Sequence, residues 1–180
     1  SPACCLWFAI DYDNNLWVYR ELYTQKITAD IFARKVLDLE SGEYIRYGVL
    51  DASTWARRGD IGPSIAETMI QAGCRWRPSD RTGRSRISGK LEIHKRLKIE
   101  DKEPGIRIFS NCRNLLRTFP TLPLDDSNPE DINTHVEDHA YDALRYGCMS
   151  RPMHTSYANK AFGNSNRTAN FVPSDKIFGY

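Results

Sequence analysis

The sequence predicts an α/β protein in which a mixed sheet is flanked by helices. Three observations lead there. Two alternating apolar runs flank an Asp/Asn-rich turn near the start, an apolar run ends in an acid at Asp51, and a stretch around Asp138 carries apolar and acidic residues at helical spacing. With 180 residues, 41% hydrophobic and 27% charged, the chain fits one domain with a real core. No apolar run approaches the ~18 residues a membrane span needs, and no secretory leader is expected. The five cysteines form no CxxC pair and lie near no histidine at zinc-ligand spacing, so small apolar thiols of a reducing compartment are expected.

Cys4 to Ile10 and Leu16 to Tyr23 read as strands, and Asp11 to Asn15 between them favours a turn, which makes a β-hairpin. Thr28 stands where it can cap a helix through Glu40, with Phe32, Val36 and Leu39 as its buried stripe. Ile45 to Asp51 reads as a strand whose last residue is an acid. Ligands of open α/β sheets gather outside the carboxyl ends of the strands, so Asp51 faces a candidate site; the plainer alternative is a cap on the next loop through Ser53 or Thr54. Arg57, Arg58 and Asp60 fall in a loop. Pro63 suits the first turn of a helix to Ala72, and Gly73 suits its stop. Cys74 to Arg77 reads as a short strand, Asp80 to Arg86 as a mobile loop, and the segment to about Ile99 as a helix burying Ile87, Leu91 and Leu97. Ile106 to Phe109 reads as a strand and Ser110 to Phe119 as a short helix. Residues 152–180 shift to Asn, Ser, Thr and Lys without period and read as a tail beyond a domain over 1–151.

Glu130 to Gly147 predicts the functional helix. Val136, Ala140, Ala143, Leu144 and Gly147 make one stripe, and Asp138, Asp142 and Arg145 make a neighbouring one. Carboxylates one turn apart repel by roughly 0.2–0.5 kcal/mol. A hard cation between them reverses that sign, and oxygen donors are what Mg²⁺ or Mn²⁺ prefers. The alternative is an exposed helix whose Asp142 pairs with Arg145 or Arg151.

Charge is unevenly spread. Arg75 to Lys98 holds nine Lys or Arg against two acids, an excess of seven against +2 for the whole chain. Such a stripe attracts a phosphate backbone, the alternative being a solvated basic face. Arg84, Arg86, Lys90 and Lys95 are its candidate DNA contacts, with Arg57 and Arg58 beside them.

Three stretches, SPACCLWFAIDYDNNLWVYRELY, YGVLDAS and EDINTHVEDHAYDALRYGC, resemble the C-terminal nuclease domain of the large terminase subunit of tailed bacteriophages. DHAYDALRY is the most specific of the matching motifs. The resemblance implies a ribonuclease H-like fold and metal-dependent cutting of double-stranded viral DNA concatemers during genome packaging. It implies a site of two Mg²⁺ or Mn²⁺ ions, with Asp51 as bridging ligand, Asp138 or Asp142 as the helix ligand, and His139 able to approach a metal. Its first acid lies in a strand upstream of Ser1, since Asp11 and Asp13 sit in the hairpin turn, so residues 1–180 alone are expected to cut poorly. The expected partners are duplex DNA, an upstream ATPase domain, the small terminase subunit and the portal protein, in the cytoplasm of an infected bacterial host and with no membrane. Another ribonuclease H-like nuclease (a resolvase, integrase or hybrid nuclease) and a non-catalytic DNA-binding module are the alternative functions.

Overall fold

The hairpin turn is built around one carboxylate. Asp11 accepts hydrogen bonds from the backbone N–H groups of Asp13 (3.0 Å) and Asn15 (2.9 Å), from the Asn15 amide (2.9 Å) and from the Trp17 indole (3.2 Å). Asn14 takes the left-handed conformation the turn requires, at φ 64°. The flanking strands, β1 (Pro2–Ile10) and β2 (Leu16–Gln25), pair antiparallel. Their register slips where Trp7 opposes Arg20 and Phe8 opposes Val18, which leaves Tyr19 as a bulged residue of β2. The bulge shifts the alternation by one, so Leu16, Val18 and Tyr23 all reach the same core despite their mixed parity.

The computed structural model describes residues 2–57, 62–99, 103–126, 128–133 and 136–153. After the hairpin come α1 (Ala29–Leu39), β3 (Gly48–Leu50), α2 (Ile65–Gln71), β4 (Trp76–Pro78), α3 (Ser85–Leu97), β5 (Ile106–Ile108), α4 (Arg113–Thr118) and α5 (His139–Ser150). The fold is thus mixed α/β, as expected. Among the described residues the strands form a sheet of order β1-β2-β5, in which β5 runs parallel to β2, and a parallel pair β3-β4.

Two cores lie on opposite faces of the hairpin. Leu6, Leu16, Val18 and Ile106 pack with Ile93 of α3, Leu115 of α4, and Ala140, Tyr141, Leu144 and Cys148 of α5. Cys5 and Trp7 point the other way, to Phe32, Ala33 and Val36 of α1, Met69 of α2, and Cys74, with Leu50 and Trp76 packed against them. Helix α5 packs on both β1 and β3. Its Gly147 makes this possible, because a Cβ there would lie 2.3 Å from the Phe8 ring. All five cysteines are free thiols, four of them buried.

Several sequence expectations are corrected by packing. Thr28 precedes α1, but its side chain makes no capping hydrogen bond to a helix N–H group, and Leu39 is exposed while Ala33 takes its place in the core. Helix α2 starts later than Pro63: Ser64 and Glu67 close a capping box, with Ser64 Oγ accepting from Glu67 N (3.1 Å) and Glu67 Oε2 from Ser64 N (2.7 Å). Gly73 ends the helix region at φ +113°. The acidic helix begins at His139, not Glu130, so Val136 lies outside it and Asp138 becomes the residue before its first turn. Residues 124 and 132 form an isolated antiparallel bridge instead.

Helix α3 differs most. Leu91 is 56% exposed and Leu97 38%, whereas Gly89, Glu92, Ile93 and Arg96 face inward. Arg96 is fully buried, 3.2 Å from Glu92, and donates to the carbonyls of Asn14 (3.0 Å), Gly105 (3.2 Å) and Arg151. Glu92 in turn accepts from Met153 N at 2.6 Å. One polar pair therefore ties the hairpin turn, the entry to β5 and the end of α5 together. The segment 154–180, expected as a tail, lies outside the described residues, and no described helix is long and apolar enough to cross a membrane.

Candidate active site

Asp51 follows directly on β3 and caps a short 3₁₀ turn over Ala52–Trp55. Its carboxylate accepts from Ser53 N at 2.8 Å, and the Thr54 hydroxyl donates to its carbonyl at 2.6 Å. The capping role foreseen for this acid is therefore present. It does not exhaust the carboxylate, whose charge also reaches the hydroxyl of Tyr146 on α5. The loops after β3 and β4 are held to each other. Ala52 N donates to Ser79 Oγ at 3.1 Å, and Arg81 donates to the Ala52 carbonyl.

On α5, Asp142 accepts from both Nε (3.1 Å) and Nη2 (2.8 Å) of Arg145, the pairing allowed for by the sequence. Arg145 is buried, and its stem lies on Gly89 of α3, where a Cβ would approach Cγ to 2.4 Å. Its guanidinium also sits 4.5 Å from the centre of the Tyr146 ring. Burial, the charge of Asp142 and then that of Asp51 push the Tyr146 hydroxyl above its ordinary pKa, against the opposing effect of Arg145. Asp51 and Asp142 thus act on one phenol. Residues 142 and 146 are one helical turn apart, so Tyr146 stands on the helix face that lies nearest both charges.

Asp138 lies one turn earlier and is 7% exposed. Burial, and then the neighbouring Asp142 charge, raise its carboxyl pKa, while His139 and Arg86 act in the opposite direction. His139 Nδ1 is 3.9 Å from Asp138 Oδ1. Asp51, Tyr146 and Asp142 form one constellation, with Asp138 and His139 at its helix end. Donor chemistry suits a hard cation, yet no group of three His, Cys, Asp or Glu side chains able to hold a metal is present among the described residues.

The predicted basic contacts divide. Arg86 Nε pairs with Asp131 at 2.8 Å, Lys90 Nζ donates to the Glu130 carbonyl at 3.0 Å, and Arg57 pairs with Glu67 at 2.7 Å. These three close the molecule on itself. Lys95 is exposed on α3 and Arg84 just before it, and Arg58 lies outside the described residues.

Sequence reasoning did not single out Tyr146 or Arg77. Both line a cleft of about 390 Å³ between the β3-β4 pair and α5, together with Val49, Ser79, Ser85 and Arg145. A tyrosine four residues after an acid on the same helix face was the available signal for the first. For the second, it was an arginine in the strand next to the one that ends in Asp51. Comparison with protein-family models, curated proteins and solved structures finds no match for the chain.

Proposed function

We propose that the chain is the nuclease domain of a DNA-packaging motor, resembling the large terminase subunit of tailed bacteriophages, and that it cuts double-stranded DNA with Mg²⁺ or Mn²⁺. The observation that carries this reading is the packing of α5 on β3, which brings Asp51 near enough to that helix for the charges of Asp51 and Asp142 both to act on the Tyr146 hydroxyl. An acid at the end of a strand and acids on a helix laid across it form the kind of donor set that phosphodiester hydrolysis uses. Asp51, Asp138 and Asp142 would hold the metal, which when bound supplies an acidified water and a stabilised leaving oxygen.

The chain's own residues do the positioning. Ser53 N fixes the Asp51 carboxylate, and Gly89 lets Arg145 lie close enough to α3 to hold Asp142. Arg145 also offsets the mutual repulsion of Asp138 and Asp142. The proposed ribonuclease H-like fold draws support from the sheets. Helix α5 packs on β1 and β3, the cluster with α1 and α2 includes residues of both, and among the described residues each has an edge without a strand partner. A strand joining those edges would give one mixed sheet of order β5-β2-β1-x-β3-β4, and such a strand is where the resemblance puts the first acid.

A second reading, a DNA-binding module without catalysis, is favoured by one observation. Asp51 caps a turn, Asp142 is paired to Arg145, and the described residues gather no three-ligand set. Nicking of supercoiled plasmid by the full-length protein separates the two. Relaxation that needs Mg²⁺ or Mn²⁺ and stops with EDTA supports the nuclease; binding without nicking supports the module.

A further inference from the structure

Phosphate contacts of the basic run were expected from Arg84, Arg86, Lys90 and Lys95, yet two of those cations are spent on the molecule itself. Arg77 of β4 is different. It is exposed, no carboxylate pairs with it among the described residues, and its guanidinium lies 3.7 Å from the centre of the Tyr47 ring. Stacking on an aromatic face fixes the plane of the fork while leaving its N–H edge free to donate.

Asp80 also lines the cleft, its carboxylate accepting from Thr82 N and Thr82 Oγ1 at 2.9 Å each, while the cations around Arg77 suit an anion. Arg151 also lies over Tyr47, at 5.9 Å, and its Nε donates to the Tyr47 hydroxyl at 3.1 Å. Burial alone would raise the Tyr47 pKa, but the hydrogen bonds of Ser150 and Arg151 and the charges of Arg151 and Arg77 outweigh it and bring it below the ordinary value. The local field is therefore positive at the end of the cleft where Ser150 stands. Ser79 Oγ accepts from Ala52 N, so its own proton remains available to donate. Ser85 opens α3, whose first N–H groups favour negative charge. Val49 and Met149 supply an apolar floor, and β3, which carries Val49, runs directly into Asp51.

We propose that this cleft seats one phosphate-bearing nucleotide of the DNA strand beside the Asp51–Asp142 site, with Arg77 as its main phosphate contact and Ser79 and Ser85 as hydroxyl donors. The proposal rests on the nucleic-acid reading above and specifies which cations serve it. It moves the main contact from Arg84, Arg86, Lys90 and Lys95 to the β4 side, where a bound phosphodiester lies next to the acids.

The test is fluorescence anisotropy of a labelled DNA duplex with the full-length protein in EDTA, so that binding is read without cleavage. Arg77→Gln should weaken binding roughly tenfold, as loss of one charge-assisted contact predicts, and should lower the salt slope by about one ion. Arg77→Lys should keep the slope and recover part of the affinity. Arg34→Gln, on the exposed face of α1, removes the same charge elsewhere and should leave both unchanged. Equal binding and slope for wild type and Arg77→Gln would overturn the proposal, as would equal losses in Arg77→Gln and Arg34→Gln, or no duplex binding by wild type. The nuclease reading is judged separately, by metal-dependent nicking.

Discussion

Replacing Arg96 by Met should destabilise the protein more than any other single change in α3. Arg96 is fully buried, forms an ion pair with Glu92, and donates to three carbonyls from three separate segments. Methionine fills much of the stem volume, so the cavity contribution is small and the polar loss dominates. Breaking a buried pair by removing one partner costs about 3–5 kcal/mol, because the other charge stays buried. The orphaned carbonyls act in the same direction, though Met153 N still bonds Glu92 and softens the loss on that side. A total of about 4 kcal/mol is a large share of the ~5–15 kcal/mol that holds a domain together. Urea denaturation followed by circular dichroism measures it: with a slope of about 2 kcal/mol per molar, the midpoint should fall by about 2 M. Glu92→Gln should cost less, since it leaves Arg96 on its carbonyls. The double variant Arg96→Met/Glu92→Leu should be less damaged than Arg96→Met, because no charge then remains unpaired. A midpoint shift under about 0.5 M for Arg96→Met would refute the clamp.

Gly147→Ala should lose about 1–2 kcal/mol despite the better helix propensity of alanine, because the new methyl meets the Phe8 ring; adding Phe8→Leu should recover part of the loss in the same melt. Asp138→Asn should raise stability at pH 7, by roughly 0.2–0.5 kcal/mol from the like-charge contact alone. Its folded pKa is raised, so the folded state holds the proton more tightly. The gain should vanish below the unfolded carboxyl pKa of about 3.9, and a gain that persists there would contradict the assignment. Glu137 is held down to about 2 by Arg117 first and by the Tyr23 hydroxyl next. Its contribution is present above the unfolded value of about 4.3 and lost as pH falls through about 2, so Glu137→Gln should flatten that part of the acid limb in a thermal-melting series.

What the sequence made legible follows the range of the interaction. The hairpin was legible because Asp11 to Asn15 closes its own turn within a few residues. Asp51 stood out because a strand ending in an acid is a local pattern, and its cap on Ser53 lies two residues away. The Ser64–Glu67 box was legible in the same way but was passed over for Pro63. Arg96 was not, because its carbonyls come from residues 14, 105 and 151, and a charged residue does not announce its burial. Reading α3 by its apolar residues alone therefore turned the helix the wrong way, exposing Ile93's true neighbours and burying Leu91 on paper. Arg86 looked free for the same reason, since Asp131 is far along the chain. The acidic helix was set too early because the periodic residues around Val136 continue a pattern that the backbone itself does not follow. Asp51 comes near Tyr146 and Asp142 only once β3 and α5 have packed.

The most direct measurement is metal-dependent cleavage of duplex DNA by the full-length protein, comparing wild type, Asp51→Asn and Tyr146→Phe at equal DNA affinity. Asp51 as a metal ligand predicts a loss well beyond the ~10–100-fold typical of a group that only orients a ligand, with Tyr146→Phe falling inside that range. Cleavage by Asp51→Asn at the wild-type rate would contradict a site built on the acid at the end of β3.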